Sequence, residues 1–287
     1  MTVAAVVYVS TSASSVLRRL KQLAFGGAPG ARLLTVFTDE PYARTSLLLA
    51  GEPSAVRASA VRIAHAALGE LDLREHVATH PRIGVVDHIS VAPVDSPMAC
   101  AADVARGIGA AIAPVVPVYL YGAAHAEGRT LAATRRLTPY FKPSNGWAAP
   151  PDLPDATAGS APFEPPSART GACCCGAVPL VLNFNMALAT SDGDAARAVA
   201  DAVRTRSGGP PGVEALALAH EGGRFEVACN LLAPDETTPA VVRALADAAA
   251  ARAGTSVVSE YTIGLSVAEI RERLAEADAA DAARGAR

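Results

Sequence analysis

One segment, residues 139–169, divides this chain in two. Pro139, Pro143, Pro150, Pro151, Pro154, Pro162, Pro165 and Pro166 crowd into it, with Gly, Ser and Ala between them. Proline lacks a backbone donor and cannot continue a helix, so no regular element crosses such a stretch. Whatever folds must be built on either side. On the N-terminal side, residues 3–10 read as a buried strand. A helix then runs from Ser12 or Ser14 to about Ala24, with Val16, Leu17, Leu20 and Leu23 on one stripe. Strands at 32–38 and 45–51 flank the turn Asp39 to Arg44. A helix after Pro53 buries Val56, Ala60, Ile63 and Ala67. A strand at 83–94, a helix at 97–113 and a strand at 115–122 follow. On the C-terminal side the order is strand 177–184, helix 192–204, strands 213–220 and 225–232 around Glu221-Gly222-Gly223, helix 238–253 and strand 257–263, with a charged helix from 267 to about 283. The Gly-Gly pair is a strong hairpin signal.

Both sides therefore read β-α-β-β-α-β, the first with one further helix and strand. That order is the ferredoxin-like unit. The expected fold is α+β, with two ferredoxin-like sandwich subdomains at residues 1–170 and 171–287. Each has an antiparallel sheet with helices on one face, and residues 139–170 form a Pro-rich loop or linker. The duplication is one of element order, without a visible sequence repeat.

A net charge of −3 gives no case for a nucleic-acid or membrane-surface protein. Aromatics make up 5% of the chain, so the core must rest on Val, Leu and Ile. Cys100, Cys173, Cys174, Cys175 and Cys229 are odd in number with three adjacent, which is no disulfide framework. Neighbouring strand residues point to opposite faces, so the three cannot close one zinc site. They read as small strand residues in a reducing compartment. Arg18 and Arg19 follow the first apolar run rather than precede it, the wrong order for a signal peptide. No apolar run reaches membrane-spanning length. The expected location is the cytoplasm.

The chemistry concentrates in residues 79–88, Thr-His-Pro-Arg-Ile-Gly-Val-Val-Asp-His. Pro81 biases His80 toward an extended conformation at the mouth of the following strand. A loop histidine there has a neutral nitrogen for proton transfer near pH 7. Strand alternation places Arg82, Gly84 and Val86 on one face, with Ile83, Val85 and Asp87 on the other. Gly84, lacking a side chain, admits a planar ligand close to the backbone. Two other readings stay open at this point. Arg82 and Asp87 could simply pair at a sheet edge. His76, His80, Asp87 and His88 could bind a metal, although Pro81 ends any helix and no glutamate stands where a zinc-hydrolase motif needs one.

His80-Pro81-Arg82-x-Gly84-x-x-Asp87 resembles the signature of the formiminotransferase family, the folate-dependent domain of formiminotransferase-cyclodeaminase. Pro117-Val118-Tyr119-Leu120-Tyr121-Gly122, Asn183-Phe184-Asn185, Asn230-Leu231-Leu232 and Gly264-Leu265 match further points in order, so the resemblance spans residues 3–265. It implies a ligand groove between two such subdomains. It implies transfer of a formimino group from N-formimino-L-glutamate to N5 of tetrahydrofolate, which acts as co-substrate without a metal. By the motif, His80 moves the proton and Asp87 supports an imidazole. Arg44 and Arg82 are expected on substrate carboxylates, and Asp39, Asn183 and Asn230 on the pterin edge. A folate loop is expected near residues 162–171, carrying Arg169 and Gly171, with Ser167 and Thr170 by position. The expected partners are folate and formiminoglutamate, with no nucleic acid and no membrane, and a homodimer left open.

The chain also departs from the family pattern. Ser10-Thr11-Ser12-Ala13-Ser14 stands where the family has Pro-Asn-Phe-Ser-Glu-Gly, and Val178-Pro179 where it often has Arg-Lys. These changes resemble the stand-alone plant and algal branch. They keep a second expectation alive: a folate-binding protein of the same fold without formimino turnover, binding or processing 5-formyltetrahydrofolate.

Overall fold

Apolar alternation in the strands and helical stripes against them produce two separate layers of sheet and helix. The structure is a computed structural model and describes residues 1–25, 30–78, 80–141, 146–153, 165–234 and 236–285. The chain divides into one unit of residues 1–178 with 267–287 and a second of residues 179–266.

In the first unit the elements are β1 (Val3–Val9), α1 (Ser14–Phe25), β2 (Ala31–Asp39), β3 (Arg44–Gly51), α2 (Pro53–Glu70), β4 (Val86–Pro93), α3 (Met98–Ile112), β5 (Val118–Gly122), α4 (Leu131–Arg136) and β6 (Cys173–Ala177). The sheet order is β2-β3-β1-β4-β6-β5. Its first four strands are antiparallel, while β6 runs parallel to both β4 and β5. Alternate residues Val3, Ala5, Val7 and Val9 point inward with Leu47, Leu49, Ile89 and Val91, against Val56, Ala60 and Ile63 of α2 and Ile108 of α3. The start of α2 follows from its sequence. Glu52 caps it by accepting from Ala55 N at 3.0 Å, and Pro53, which has no donor to satisfy, takes the first helical position.

The second unit consists of β7 (Leu182–Leu188), α5 (Gly193–Val203), β8 (Val213–Ala219), β9 (Phe225–Leu231), α6 (Pro239–Arg252) and β10 (Val257–Ile263), in sheet order β10-β7-β9-β8. This is the expected ferredoxin-like unit. Phe184, Met186, Val227 and Cys229 pack on Ala196, Val199, Val203, Val242 and Ala246.

Five features differ from the sequence expectation. The first sheet is mixed rather than antiparallel, because β6 runs parallel to β4 and β5. The strand expected at 177–184 is two: β6 closes the first sheet at Ala177, and β7 opens the second at Leu182, on either side of Pro179. The boundary between units accordingly lies at 178/179 rather than 170/171. The terminal helix α7 (Val267–Gly285) belongs to the first unit. There Ile270 is fully buried and Arg271 donates to Asp95 at 2.9 Å and to the Val94 carbonyl at 3.1 Å. Finally, α4 was not expected at all.

The Pro-rich segment is docked where it is described. Leu153 bridges to Val118, Tyr119 Oη donates to the Ala149 carbonyl at 2.7 Å, and Trp147 stacks on Tyr119. Residues 142–145 and 154–164, which include Pro143, Pro154 and Pro162, lie outside the described residues. The three adjacent cysteines are buried residues of one strand. Cys173 and Cys175 join the main core, Cys174 faces the other way, and burial pushes all three thiols up. No described helix is long and apolar enough to cross a membrane.

Candidate active site

The site grows from one extra residue in β4. Val86 pairs with Val9 and His88 with Tyr8, so Asp87 has no partner of its own across the ladder. Such a bulge re-aims side chains. Asp87 and His88 consequently lie side by side on the face away from α1–α3, instead of on opposite faces as strict alternation requires. His88 Nδ1 is 2.9 Å from Asp87 Oδ2, and its ring stacks on Tyr8 at 4.0 Å between centroids. Asp87 is fully buried; its Oδ1 accepts from Ile83 N at 2.8 Å and its Oδ2 from Arg135 Nη2 at 3.0 Å.

His80 lies on the loop before β4, as expected. Its Nδ1 is 2.6 Å from the Pro81 carbonyl, which can only accept, so the proton sits on Nδ1 and Nε2 keeps its lone pair. Arg44 Nη1 is 3.4 Å from the same Nδ1, and the Tyr42 and Tyr140 rings lie beside the imidazole. The contacts close into a ring of six side chains. From His80 it passes to Arg44, whose guanidinium lies over Tyr8 at 5.3 Å. Tyr8 stacks on His88, and His88 Nδ1 is 3.2 Å from Arg135 Nη2. The Arg135 guanidinium lies over Tyr140 at 4.1 Å, and Tyr140 returns to His80. Two guanidiniums face one carboxylate, so the ring carries excess positive charge. Arg44 follows Ala43, whose φ of +45° is uncommon for a residue with a side chain.

Burial, reinforced by the Arg44 charge, pushes the His80 imidazole down to about 3. Burial also takes His88 down to about 4, against the pull of Asp87. For Asp87, burial works upward but is outweighed by the His88 hydrogen bond and the Arg135 charge, so its carboxyl is held well below the usual range. His76, burial-shifted and next to Arg82, is also pushed down to about 4.

These shifts fix the sign of an acid transition. Each of the three histidines binds a proton near 6.5 when unfolded but only near 3–4 when folded. In that window the unfolded chain holds more protons, so stability falls as pH falls below about 6.5. Asp87 adds a loss below its unfolded value of 3.8. Urea midpoints are expected to drop steadily from pH 7 to pH 5, before any carboxylate titrates. A flat midpoint across that range contradicts the burial of neutral imidazoles.

The other expected residues are placed as follows. Arg82 Nη2 donates to the His76 carbonyl at 2.9 Å. Gly84 and Gly171 bridge to each other, and a Cβ on Gly84 would lie 1.8 Å from the Ala172 carbonyl oxygen. The close approach at Gly84 is therefore made by the chain itself, not by an open face for a planar ligand. Gly171 adopts φ +66° beside the Ile83 carbonyl, where a side chain would collide. Arg169 donates to the Gly69 carbonyl at 2.9 Å, at the end of α2, while the Ser167 carbonyl accepts from Gly171 N. The Thr170 carbonyl accepts from Val85 N at 2.9 Å. Residues 162–164 of the expected folate loop lie outside the described residues. Asp39 Oδ1 accepts from Tyr42 N at 3.0 Å and shapes the turn that presents Arg44. In the second unit, Asn183 and Asn230 are ladder partners joined by a 2.6 Å hydrogen bond, and Asn230 donates on to Glu214.

Arg135, Tyr140 and Tyr8 were not found by sequence reasoning. The available signal for Arg135 was Thr130, which caps α4 by accepting from Ala133 N at 3.1 Å, followed by Arg135-Arg136 in the last turn, where the helix dipole favours cations.

The chain is similar to known proteins. Residues 2–178 match the formiminotransferase domain, N-terminal subdomain. The chain is 32% identical over 286 residues to a formiminotransferase cyclodeaminase-like protein of Arabidopsis thaliana, covering 93% of this chain and 94% of that one. It is 33% identical over 181 residues to the formimidoyltransferase-cyclodeaminase of Sus scrofa, covering 60% of this chain and 32% of that one. It is 27% identical over 246 residues to a glutamate formimidoyltransferase of Thermoplasma acidophilum, covering 82% and 78% respectively. With more than half its length matched by the family's own subdomain, the chain belongs to the formiminotransferase family.

Proposed function

We propose that this protein transfers a formimino group from N-formimino-L-glutamate to N5 of tetrahydrofolate; its likeness to a glutamate formimidoyltransferase of Thermoplasma acidophilum supports the reaction class. The observation that carries the reading is the His80 imidazole. It is held in one tautomer by the Pro81 carbonyl with Nε2 unprotonated, beside the guanidinium of Arg44 and in the same ring as Arg135. N5 attacks the formimino carbon and a tetrahedral intermediate forms. His80 Nε2 takes the N5 proton and returns it to the glutamate nitrogen as that bond breaks. Both substrates carry carboxylates, which the excess positive charge of the ring attracts. A carboxylate docked on Arg44 would also offset the charge that holds His80 low, raising its basicity when substrate is present.

One observation favours the second reading, a folate-binding protein without turnover. In the free protein His80 is pushed down to about 3, which opposes proton uptake. Two measurements separate the readings. Calorimetric titration with tetrahydrofolate and with 5-formyltetrahydrofolate reports binding, and a coupled assay with formiminoglutamate reports transfer. The transfer reading expects binding of tetrahydrofolate and formation of 5-formiminotetrahydrofolate. Binding without product rules for the second reading, and neither binding nor product rules out both.

A further inference from the structure

Among the described residues, β8 is the sheet edge that the fold leaves open. The other edges are blunted. β2 carries Arg32, shifts register between Leu33 and Thr35, and its Leu34 carbonyl accepts from Arg273 of α7. β5 is bridged by Leu153. β10 shifts register between Val257 and Ser259, and its Glu260 pairs with Arg243 of α6. Charges, irregular register and covering segments keep a free edge from pairing with another chain. β8, Val-Glu-Ala-Leu-Ala-Leu-Ala, has only the charge of Glu214. Its register with β9 is unbroken, and Glu214, Leu216 and Ala219 are exposed. Hydrogen bonds at the two ends fix which groups face outward. Leu232 N donates to the Gly212 carbonyl at 2.7 Å, and His220 N to the Arg224 carbonyl at 2.8 Å. Bonded and non-bonded pairs alternate along an antiparallel ladder. Glu214, Leu216 and Leu218 therefore bond to β9, and the backbone groups of Val213, Ala215, Ala217 and Ala219 point to the edge. Val213 agrees, since its N–H donates to Thr205 Oγ1 at 2.8 Å. Ala215 and Ala217 face the core of the unit, so Glu214, Leu216 and Leu218 take the other face.

We propose that β8 pairs antiparallel with β8 of a second copy of this chain, joining two four-stranded sheets into one. The occupant follows from the strand's own sequence. Ala215-Leu216-Ala217-Leu218-Ala219 reads the same in both directions. A twofold axis through Ala217 therefore sets Leu216 against Leu218 of the partner subunit, and alanine against alanine on the other face. Glu214 comes opposite the partner subunit's His220, a carboxylate against an imidazole. The outward groups of Ala215, Ala217 and Ala219 close the new ladder. An axis through Leu216 is the alternative register. It needs the Val213 N–H that Thr205 already holds, and it sets Glu214 against a leucine.

Sedimentation of the full chain across the micromolar range tests this. Wild type should be mainly dimeric at the upper end. Leu216→Lys puts a charge into both Leu–Leu pairs at a position already exposed, and should raise the dissociation constant about tenfold or more. Ala217→Pro deletes an outward N–H and no bond to β9, and should weaken the dimer as well. Circular dichroism checks that each variant is folded. Amide hydrogen exchange locates the interface. Ala215, Ala217 and Ala219 should be protected in the dimer and exchange freely in folded Leu216→Lys. A wild type that stays monomeric overturns the proposal, whatever other strand the edge takes. So does a folded Leu216→Lys that dimerises as tightly as wild type. A dimer in which those alanine amides exchange freely has its interface elsewhere and overturns it too.

Discussion

His80→Ala should lower turnover with formiminoglutamate by roughly two to four powers of ten while leaving tetrahydrofolate binding nearly unchanged. The magnitude is that of proton transfer by a positioned side chain. The selectivity for turnover over binding comes from where the imidazole sits. It is half-buried on the loop before β4, its Nδ1 is tied to the main chain, and its Nε2 makes no hydrogen bond among the described residues. Removing it deletes a reacting group rather than a supporting contact. The pH profile adds a check. With substrate bound, the wild-type rate should rise with pH as His80 loses its proton, and the residual rate of the variant should lose that limb. If His80→Ala keeps turnover within about threefold of wild type, another group moves the proton.

Arg135→Met should cost about 3 kcal/mol of stability, the low end of what breaking a buried ion pair costs. Asp87 is fully buried, and after the substitution its carboxylate keeps the Ile83 amide and His88 but loses its cationic partner. Met matches the length and apolar stem of Arg, so lost packing against Tyr140 is a minor part of the effect. The companion variant isolates the charge. Asp87→Asn in the Arg135→Met background removes the unpaired carboxylate and should recover most of the loss, a coupling that two independent sites would not show. Urea unfolding of the four proteins measures it. A single-variant loss below about 1 kcal/mol, or additive losses in the pair, would show that the ring is not held by this ion pair.

The strands and helices were legible where one face is buried. Alternation in Val3–Val9 and the stripe of α5 write their orientation into single segments, and Gly222-Gly223 marks its hairpin without help from the rest of the chain. What was not legible depends on a second segment. The bulge at Asp87 exists only relative to the register of Tyr8 and Val9 on β1, so alternation along β4 alone puts Asp87 on the wrong face. The six residues of α4 are too few for a helical period, which hid Arg135. The apolar run from Cys173 to Phe184 looks continuous, yet Pro179 inside it was a usable warning, since proline is excluded from the interior of a central strand. Gly84 was read as room for a ligand because the partner that fills the room, Ala172, lies far along the chain.

The second unit is an insertion. The chain leaves the first unit after β6 and comes back to it only at α7, which buries Ile270 and ties Arg271 to Asp95 and Arg273 to the Leu34 carbonyl. On the ribosome this reverses the usual order, in which the N-terminal domain is finished first. Residues 179–266 arrive as one run and can close their core as soon as they emerge. The unit that carries His80 is begun first and completed last, waiting for its final helix while its neighbour is already folded.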